Sequence, residues 1–306
     1  MKKEIISISV LSFNSSQTII ETLNSILAQD YGCQYIELII GDDGSKDNTC
    51  ELIRSWVDKN NHYFYSVKLN LIKQNKGLVF NYNSTCELAT SEWLKPIAAD
   101  DLLTENCLSQ FYSYIIKNKQ VSCVFCKVEK FNSNSSLGVF PKNEYYFNIS
   151  ANEQFKNLLV DNFLPAPAVF IKVSLLKSVE YFDNRMYMED YPLWLKLTSM
   201  GIKLHLINEV LVKYRVGNSV SNSNLKLINE ELNNDVYICK KEYLKKLKAS
   251  ILEKPLYYID ITLFKLNDIV KIKILKNKKN KLTTFISPAF RLLSPLFILR
   301  KIKNSN

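Results

Sequence analysis

The sequence predicts an α/β fold, a mostly parallel sheet with flanking helices, followed by a C-terminal helical extension. Short apolar runs alternate with 3.6-residue amphipathic patterns over the first 120 of its 306 residues, in units of about thirty residues, as right-handed strand–helix–strand crossovers require. Acidic pairs stand where two of those runs end. Charge then divides the chain: residues 222–306 hold 18 Lys and Arg against 7 Asp and Glu, so all of the net +10 resides there. The predicted division is a nearly neutral domain over 1–221 and a basic amphipathic extension over 222–306.

The elements follow in order. "IISISVLS" (5–12) is β-rich, and "YIELIIG" (35–41) is a short apolar run suited to a buried parallel strand. "SVKLNLI" (66–72) and "WLKPI" (93–97) supply two more, with Pro96 putting the last at an edge or a strand end. Thr18 and Glu21 have capping-box spacing ahead of Ile19, Ile20, Leu23, Ile26 and Leu27, and Asn48 and Glu51 repeat it ahead of Leu52, Ile53, Trp56 and Val57. Further on, "SCVFCKVEKF" (122–131) reads as a strand and "NFLPAPAVFI" (162–171) as a shaped loop entering a short strand. "MEDYPLWLKLTSMG" (188–201) reads as a helix with Pro192 in its first turn and Gly201 at its end, and "IKLHLIN" and "VLVKYRV" as two strands. Leu225, Ile228, Leu232, Val236, Cys239, Tyr243 and Leu247 space a long amphipathic helix from 225 onward.

An apolar share of 47% with 23% charged residues is that of a globular protein with a sizeable core. Seven cysteines, an odd number behind an N-terminus without a signal-peptide run, indicate free thiols in a reducing, cytoplasmic compartment. Cys123 and Cys126 have metal-like spacing, but residues i and i+3 of a strand face opposite sides and no second pair completes a site. No segment reaches the ~20 apolar residues of a membrane span. The tail's lysines alternate with Leu, Ile, Phe and Tyr, which fits an anionic membrane surface and not nucleic acid. In 277–303 basic clusters flank an apolar segment broken by Pro288, Arg291 and Pro295, so Phe285, Phe290, Leu293 and Phe297 are expected to enter the headgroup layer of the inner face of the cell membrane.

In a parallel α/β sheet, ligands bind at the carboxyl ends of the strands. Ser12, Phe13 and Asn14 end the first strand, Asp42 and Asp43 the second, Asp100 and Asp101 the fourth, and "QNKG" (74–77) adds a loop with Asn75 and Gly77. Asp100 and Asp101 serve a helix N-terminus as readily as they serve a divalent cation that neutralises them. The second acid pair at a neighbouring strand end favours a site.

These stretches, "ISVLSFNSSQTIIETLNSILAQDY", "ELIIGDDGSKDNT", "NKG" and "EWLKPIAADDLL", with "YFDN", "MEDYPLWLKL" and "YRVGNSVS" after them, resemble the family 2 glycosyltransferases of bacterial polysaccharide type. The resemblance covers residues 5 to 221, and the order and spacing of its motifs make it specific. It implies the GT-A fold, a Rossmann-like sheet, and transfer of a sugar from a nucleoside diphosphate donor, usually with inversion and with Mg²⁺ or Mn²⁺. By the same resemblance Asp43, with Asp42 beside it, reads the base, consistent with a UDP-sugar, and Ser12 and Asn14 contact the nucleotide. Asp100 is implied as the metal ligand and Asp101 as the acid near the ribose and donor sugar. Asp190 is implied as the catalytic base, with Glu189 orienting it or the acceptor, and the bland reading of both is first-turn acids of a helix. The acceptor that the resemblance implies is a glycan or lipid-linked one.

The sequence departs from the family twice. Ala98 stands where a DxD triplet has its first acid, and no His follows Tyr214–Arg215; His62 and His205 take no metal role. Arg215 either offsets diphosphate charge or supports the fold. The rival readings are nucleotidyl transfer, whose Gly-rich N-terminal loop is missing here, and a non-catalytic nucleotide-sugar-binding module.

Overall fold

Runs of Ile, Leu and Val, buried on both faces, make the centre of the sheet. β1 (Ile6–Ser12) and β2 (Ile36–Asp42) have every residue buried, β3 (Ser66–Leu71) is half-buried, and β4 (Trp93–Ala98) follows. These four pair in parallel in the order β3-β2-β1-β4. α1 (Ile19–Leu27), α2 (Thr49–Asn60) and α3 (Leu78–Cys86) connect them. The computed structural model describes residues 3–132, 135–217, 226–286 and 289–305, and these form two compact units.

The first unit comprises 1–144, 164–185 and 204–215. Beyond β4 its sheet continues through β5 (Leu102–Leu103), β6 (Cys123–Phe131), β7 (Ser136–Phe140), β8 (Phe170–Lys172) and β9 (His205–Arg215), with α4 (Cys107–Lys117) and α7 (Val173–Ser178) alongside. The order is β3-β2-β1-β4-β8-β6-β9-β5, and β7 pairs with β6. β8 joins β4 and β6 antiparallel, whereas β6 and β9 run parallel.

The second unit comprises 145–163, 186–203 and 216–306. Its described elements are helical: α5 (Tyr145–Asn148), α6 (Ala151–Val160), α8 (Asp190–Ser199), α9 (Glu230–Leu244), α10 (Lys254–Ile269), α11 (Lys281–Ile286) and α12 (Pro295–Ser305). Three helices from before residue 221 (α5, α6 and α8) thus share this unit with the C-terminal ones. Leu225 and positions 218–221 lie outside the described residues, and α9 starts at Glu230, where Asn229 caps it by accepting the Glu231 and Leu232 N–H groups.

Several local expectations are corrected. Neither capping box forms: Thr18 and Asn48 make no side-chain cap. Glu21 pairs instead with Arg215, and Asp47 takes the Thr49 N–H at 3.1 Å. "IKLHLIN" and "VLVKYRV" are one strand, β9, whose register against β6 shifts between Cys126 and Val128. β4 is interior, yet Pro96 is tolerated because β8 pairs only with Trp93 and Leu94, leaving no partner for a missing N–H beyond them. In the tail Phe285 and Leu293 are 82% and 63% exposed, whereas Phe290 and Phe297 line a small, partly open pocket with Lys240 and Asp260. All seven cysteines are free.

Candidate functional site

The turn after β1 and the loop after β2 are built as one piece. Asp42, fully buried, accepts hydrogen bonds from Ser12 Oγ (2.8 Å), Ser45 N–H (2.9 Å), Ser45 Oγ (2.6 Å) and Cys50 Sγ (3.1 Å). Asn14, at a φ of 50°, accepts the Lys46 N–H through Oδ1 and donates its own N–H to Ser45 Oγ. Asp43 Oδ1 and Oδ2 accept the backbone N–H groups of Lys76 and Gly77 at 2.8 and 2.9 Å. Burial raises the Asp43 pKa while those two donors oppose the rise. Gly44 allows the approach: at its φ of +71° an added Cβ would stand 2.7 Å from Asn75 N and 2.8 Å from Gln74 C. The 74–77 loop therefore rests directly on the end of β2, and Ser12, Asn14, Asp42, Asp43, Asn75 and Gly77 converge as expected.

At the end of β4 the two acids differ. Asp101 is 1% exposed, and its Oδ1 accepts the Arg215 backbone N–H at 2.9 Å. Burial and then the charge of Asp100 push its pKa well up, against the Arg215 N–H and the positive charges of Lys95 and Arg215. Asp100 is half-buried, its pKa raised by burial and drawn back by its own N–H and the Arg215 charge. Arg215 is committed to the fold: Nε donates to the Asp100 carbonyl at 2.9 Å, the guanidinium pairs with Glu21, and it lies 4.6 Å over the Phe131 ring. These are the contacts that the fold-supporting reading of Arg215 calls for.

Among the described residues no group of three or more His, Cys, Asp or Glu converges on one point. A hard divalent cation needs oxygen donors, however, and can take most of them from phosphate and water. Asp100 suits that arrangement, since it is half-buried, burial raises its pKa against only its own N–H and the Arg215 charge, and it has no ion pair among the described residues. A carboxylate of this kind is compatible with Mg²⁺ or Mn²⁺ completed by phosphate and water, and Ala98 adds no side-chain oxygen.

In the second unit Asp190 opens α8, with Glu189 preceding it at the cap position. Asp190 Oδ2 accepts Asn162 Nδ2 at 3.3 Å. Burial raises the Asp190 pKa, while hydrogen bonds from Tyr191 N–H, Asn162 and the Trp194 indole favour the charged form. The backbone just before it is pinned from α9, where the Asp235 carboxylate accepts the N–H groups of Tyr187 and Met188.

Sequence reasoning missed these supports. Asn162 and Asp235 lie 28 and 45 positions away from Asp190, and no local pattern connects them. Lys95 did leave a signal, a lysine inside an apolar strand. It is fully buried, and its Nζ donates to the carbonyls of Pro96 (2.8 Å) and Pro167 (2.6 Å), tying β4 to the 165–168 segment.

Comparison with known proteins points one way. The model of the family described as glycosyl transferase family 2 matches residues 7–177. The poly-beta-1,6-N-acetyl-D-glucosamine synthase of Staphylococcus epidermidis is 30% identical over 204 residues, 66% of this chain and 46% of the relative, so the match spans about half of that protein's length. An Escherichia coli protein named UDP-Glc:alpha-D-GlcNAc-diphosphoundecaprenol beta-1,3-glucosyltransferase is 27% identical over 225 residues, 73% of this chain and 82% of its own. Among solved structures, S. aureus TarS 1-349 in complex with UDP-GlcNAc superposes with a TM-score of 0.67 at 17% identity, covering 95% of this chain and 82% of that one. That last likeness is one of fold.

Proposed function

The chain belongs to glycosyl transferase family 2, with the GT-A fold, and from that premise we propose that it transfers a sugar from a UDP-sugar to a hydroxyl of a glycan or lipid-linked acceptor, with inversion, in bacterial surface-polysaccharide assembly. The carrying observation is the strand-end geometry of the first unit, where the 74–77 loop is locked on Asp43 and Gly44 while the Asp100 carboxylate makes no ion pair among the described residues. The UDP-GlcNAc complex of TarS and the donor and lipid-diphosphate acceptor in the name of the E. coli relative support the substrate class.

In this mechanism the nucleotide lies against Ser12, Asn14 and the 74–77 loop. Each Asp43 oxygen has a lone pair beyond the one given to the loop, so the carboxylate still accepts the imide N–H of uracil. Asp100 would hold Mg²⁺ or Mn²⁺, which would supply charge stabilisation to the diphosphate leaving group. Asp101, fixed by the Arg215 N–H, keeps Asp100 in place and borders the ribose and donor sugar. Asp190 takes the proton of the acceptor hydroxyl as it attacks the anomeric carbon, where charge develops as in an oxocarbenium ion. Glu189 orients Asp190 or the acceptor. The basic 222–306 region keeps the enzyme on the anionic cytoplasmic face of the cell membrane; no helix among the described residues is long and apolar enough to cross it.

The test is a panel of nucleotide sugars assayed for hydrolysis and for transfer, with and without Mn²⁺. Metal-dependent turnover of a UDP-sugar is expected. Tight UDP binding with no turnover of any donor or acceptor would instead identify a non-catalytic binding module.

A further inference from the structure

α10 is built inside out. Its buried positions include Asp260, Asn267 and Asp268 beside Tyr257 and Ile261. The polar ones are served within the unit: Asp260 by Ser294 Oγ, with Lys240 Nζ at 3.7 Å, and Asp268 by Asn233 Nδ2 at 2.8 Å. Its exposed positions are Pro255, Tyr258, Ile259, Thr262, Leu266 and Ile269, a stripe at helical spacing that carries no charge. Thr262 turns its hydroxyl back onto the Tyr258 carbonyl at 2.8 Å, so it too asks nothing of water.

The stripe runs on at both ends. Before the helix Ile251 and Leu252 are 91% and 85% exposed, and after it Ile274 is 69% exposed. Ile251 and Leu252 stand on an ordered turn, in which Ser250 and Glu253 exchange backbone–side-chain hydrogen bonds at 3.2 Å. At ~1.5 Å per helical residue the apolar line is roughly 35 Å long. An exposed apolar strip of this length marks a contact surface.

Charge says with what. Lys245, Lys246 and Lys248 are exposed at one end of the strip, and Lys273, Lys276, Lys278, Lys279 and Lys281 at the other. Between residues 245 and 281 Glu253 is the one exposed acid, and Lys156 lies 3.5 Å from it. Two copies of this strip laid together would crowd like charges at both ends. A surface of lipid phosphates is complementary to them, and a helix of this pattern lies in the plane of the headgroup–acyl boundary.

We propose that α10, with the turns on either side of it, is the element that lies on the anionic membrane, its Ile251, Leu252, Ile259, Leu266 and Ile269 in the boundary and the two lysine groups on lipid phosphates. This rests on the membrane partner of the reading above and moves the principal contact from 277–303 to 251–274.

Co-sedimentation with vesicles tests it, using phosphatidylcholine alone and phosphatidylcholine with a one-third share of phosphatidylglycerol. The full chain should bind the mixed vesicles, release in high salt, and ignore the neutral ones. Ile259→Ser/Leu266→Ser should lower binding to the mixed vesicles by about tenfold or more, with an unchanged circular-dichroism melt. Ile251→Ser/Leu252→Ser, on a turn where folding is not at stake, should lower it as well. Both variants binding like the parent would overturn the proposal. So would a parent that forms dimers which the variants dissociate without any change on vesicles. If a chain ending at 276 loses binding while the α10 variants keep it, α10 is excluded but the membrane partner stands. A parent that binds no vesicle removes both, and leaves donor turnover as the separate measure of the transferase reading.

Discussion

Asp42 and Asp43 close one strand, Asp100 and Asp101 another, and the two pairs meet the same repulsion differently. Around the first pair the protein supplies the donors: two hydroxyls, a thiol and three backbone N–H groups take up the four oxygens. Around the second, Asp101 receives the Arg215 N–H while the Asp100 carboxylate has its own N–H and the charge of Arg215, whose Nε donates to the Asp100 carbonyl and not to its carboxylate. An acid pair in which the protein gives every oxygen at least one donor is a brace that shapes a loop, with the spare lone pairs of Asp43 left for the base. An acid with oxygens to spare and a pKa raised by burial favours the arrival of a cation. Adjacent carboxylates in a sequence look alike in both cases, and only the supply of donors tells them apart.

Asp100→Ala breaks the comparison where the effect is largest. It should remove metal-dependent binding of UDP, measured by titration calorimetry with and without Mn²⁺, and lower transfer by ~10³-fold or more, since charge stabilisation by a metal is worth several kcal/mol. Asp43→Ala should instead weaken UDP equally with and without Mn²⁺, because it frees the 74–77 loop. Equal Mn²⁺-dependent binding by Asp100→Ala and the parent would make Asp100 a brace like the others.

A third acid pair, Glu189–Asp190, extends the comparison to a helix start. Asp190→Asn keeps the shape and loses the proton acceptor, so the transfer rate should fall ~10²–10⁴-fold with UDP affinity unchanged. Stability should move the other way. The Asp190 pKa is raised in the folded state, so its contribution is fully present below the ordinary Asp value and is lost as pH rises through the raised one. An amide is neutral throughout, and thermal melts at neutral pH should put the variant at or above the parent. A variant that melts well below the parent would mean the charged form is stabilising there.

The sequence made β1 to β4 and their helices legible because each buries one apolar pattern with a fixed period. It also placed the acids at strand ends, since a parallel sheet leaves its chemistry there. What it hid was long-range. Glu21 reads as a capping residue but answers Arg215, 194 positions on, and Lys95 finds its second carbonyl 72 positions away. β9 reads as two strands because its register slip against β6 breaks the alternation. α10 did not register as a helix with an outer face at all, because Asp260, Asn267 and Asp268 are buried beside Tyr257 and Ile261 while Tyr258, Ile259, Leu266 and Ile269 are exposed.

Gly44→Ala sharpens the brace reading with a smaller effect. The added Cβ would press on the backbone of Gln74 and Asn75 from a φ of +71°, a strain of ~1–3 kcal/mol. The loop should shift off Asp43, and UDP affinity should fall by about tenfold while its Mn²⁺ dependence persists. Unchanged affinity would separate the 74–77 loop from the nucleotide.

The smallest effect belongs to Asn162. Its amide favours charged Asp190, so Asn162→Ala should raise the Asp190 pKa further and move the acid limb of the rate–pH profile to higher pH, by less than about one unit. The direction follows from the base having to be deprotonated to act: at any pH on that limb fewer molecules hold the carboxylate, whereas on the plateau the rate is nearly kept. Asn162→Asp should shift the limb further the same way, because a second charge 3.3 Å from Asp190 Oδ2 opposes its ionisation. A merely structural Asn162 would lower the rate equally at every pH. A limb that stays in place in both variants would detach Asn162 from the base, and with it the contrast between an acid tuned by neighbours in its own unit and an acid left open for metal.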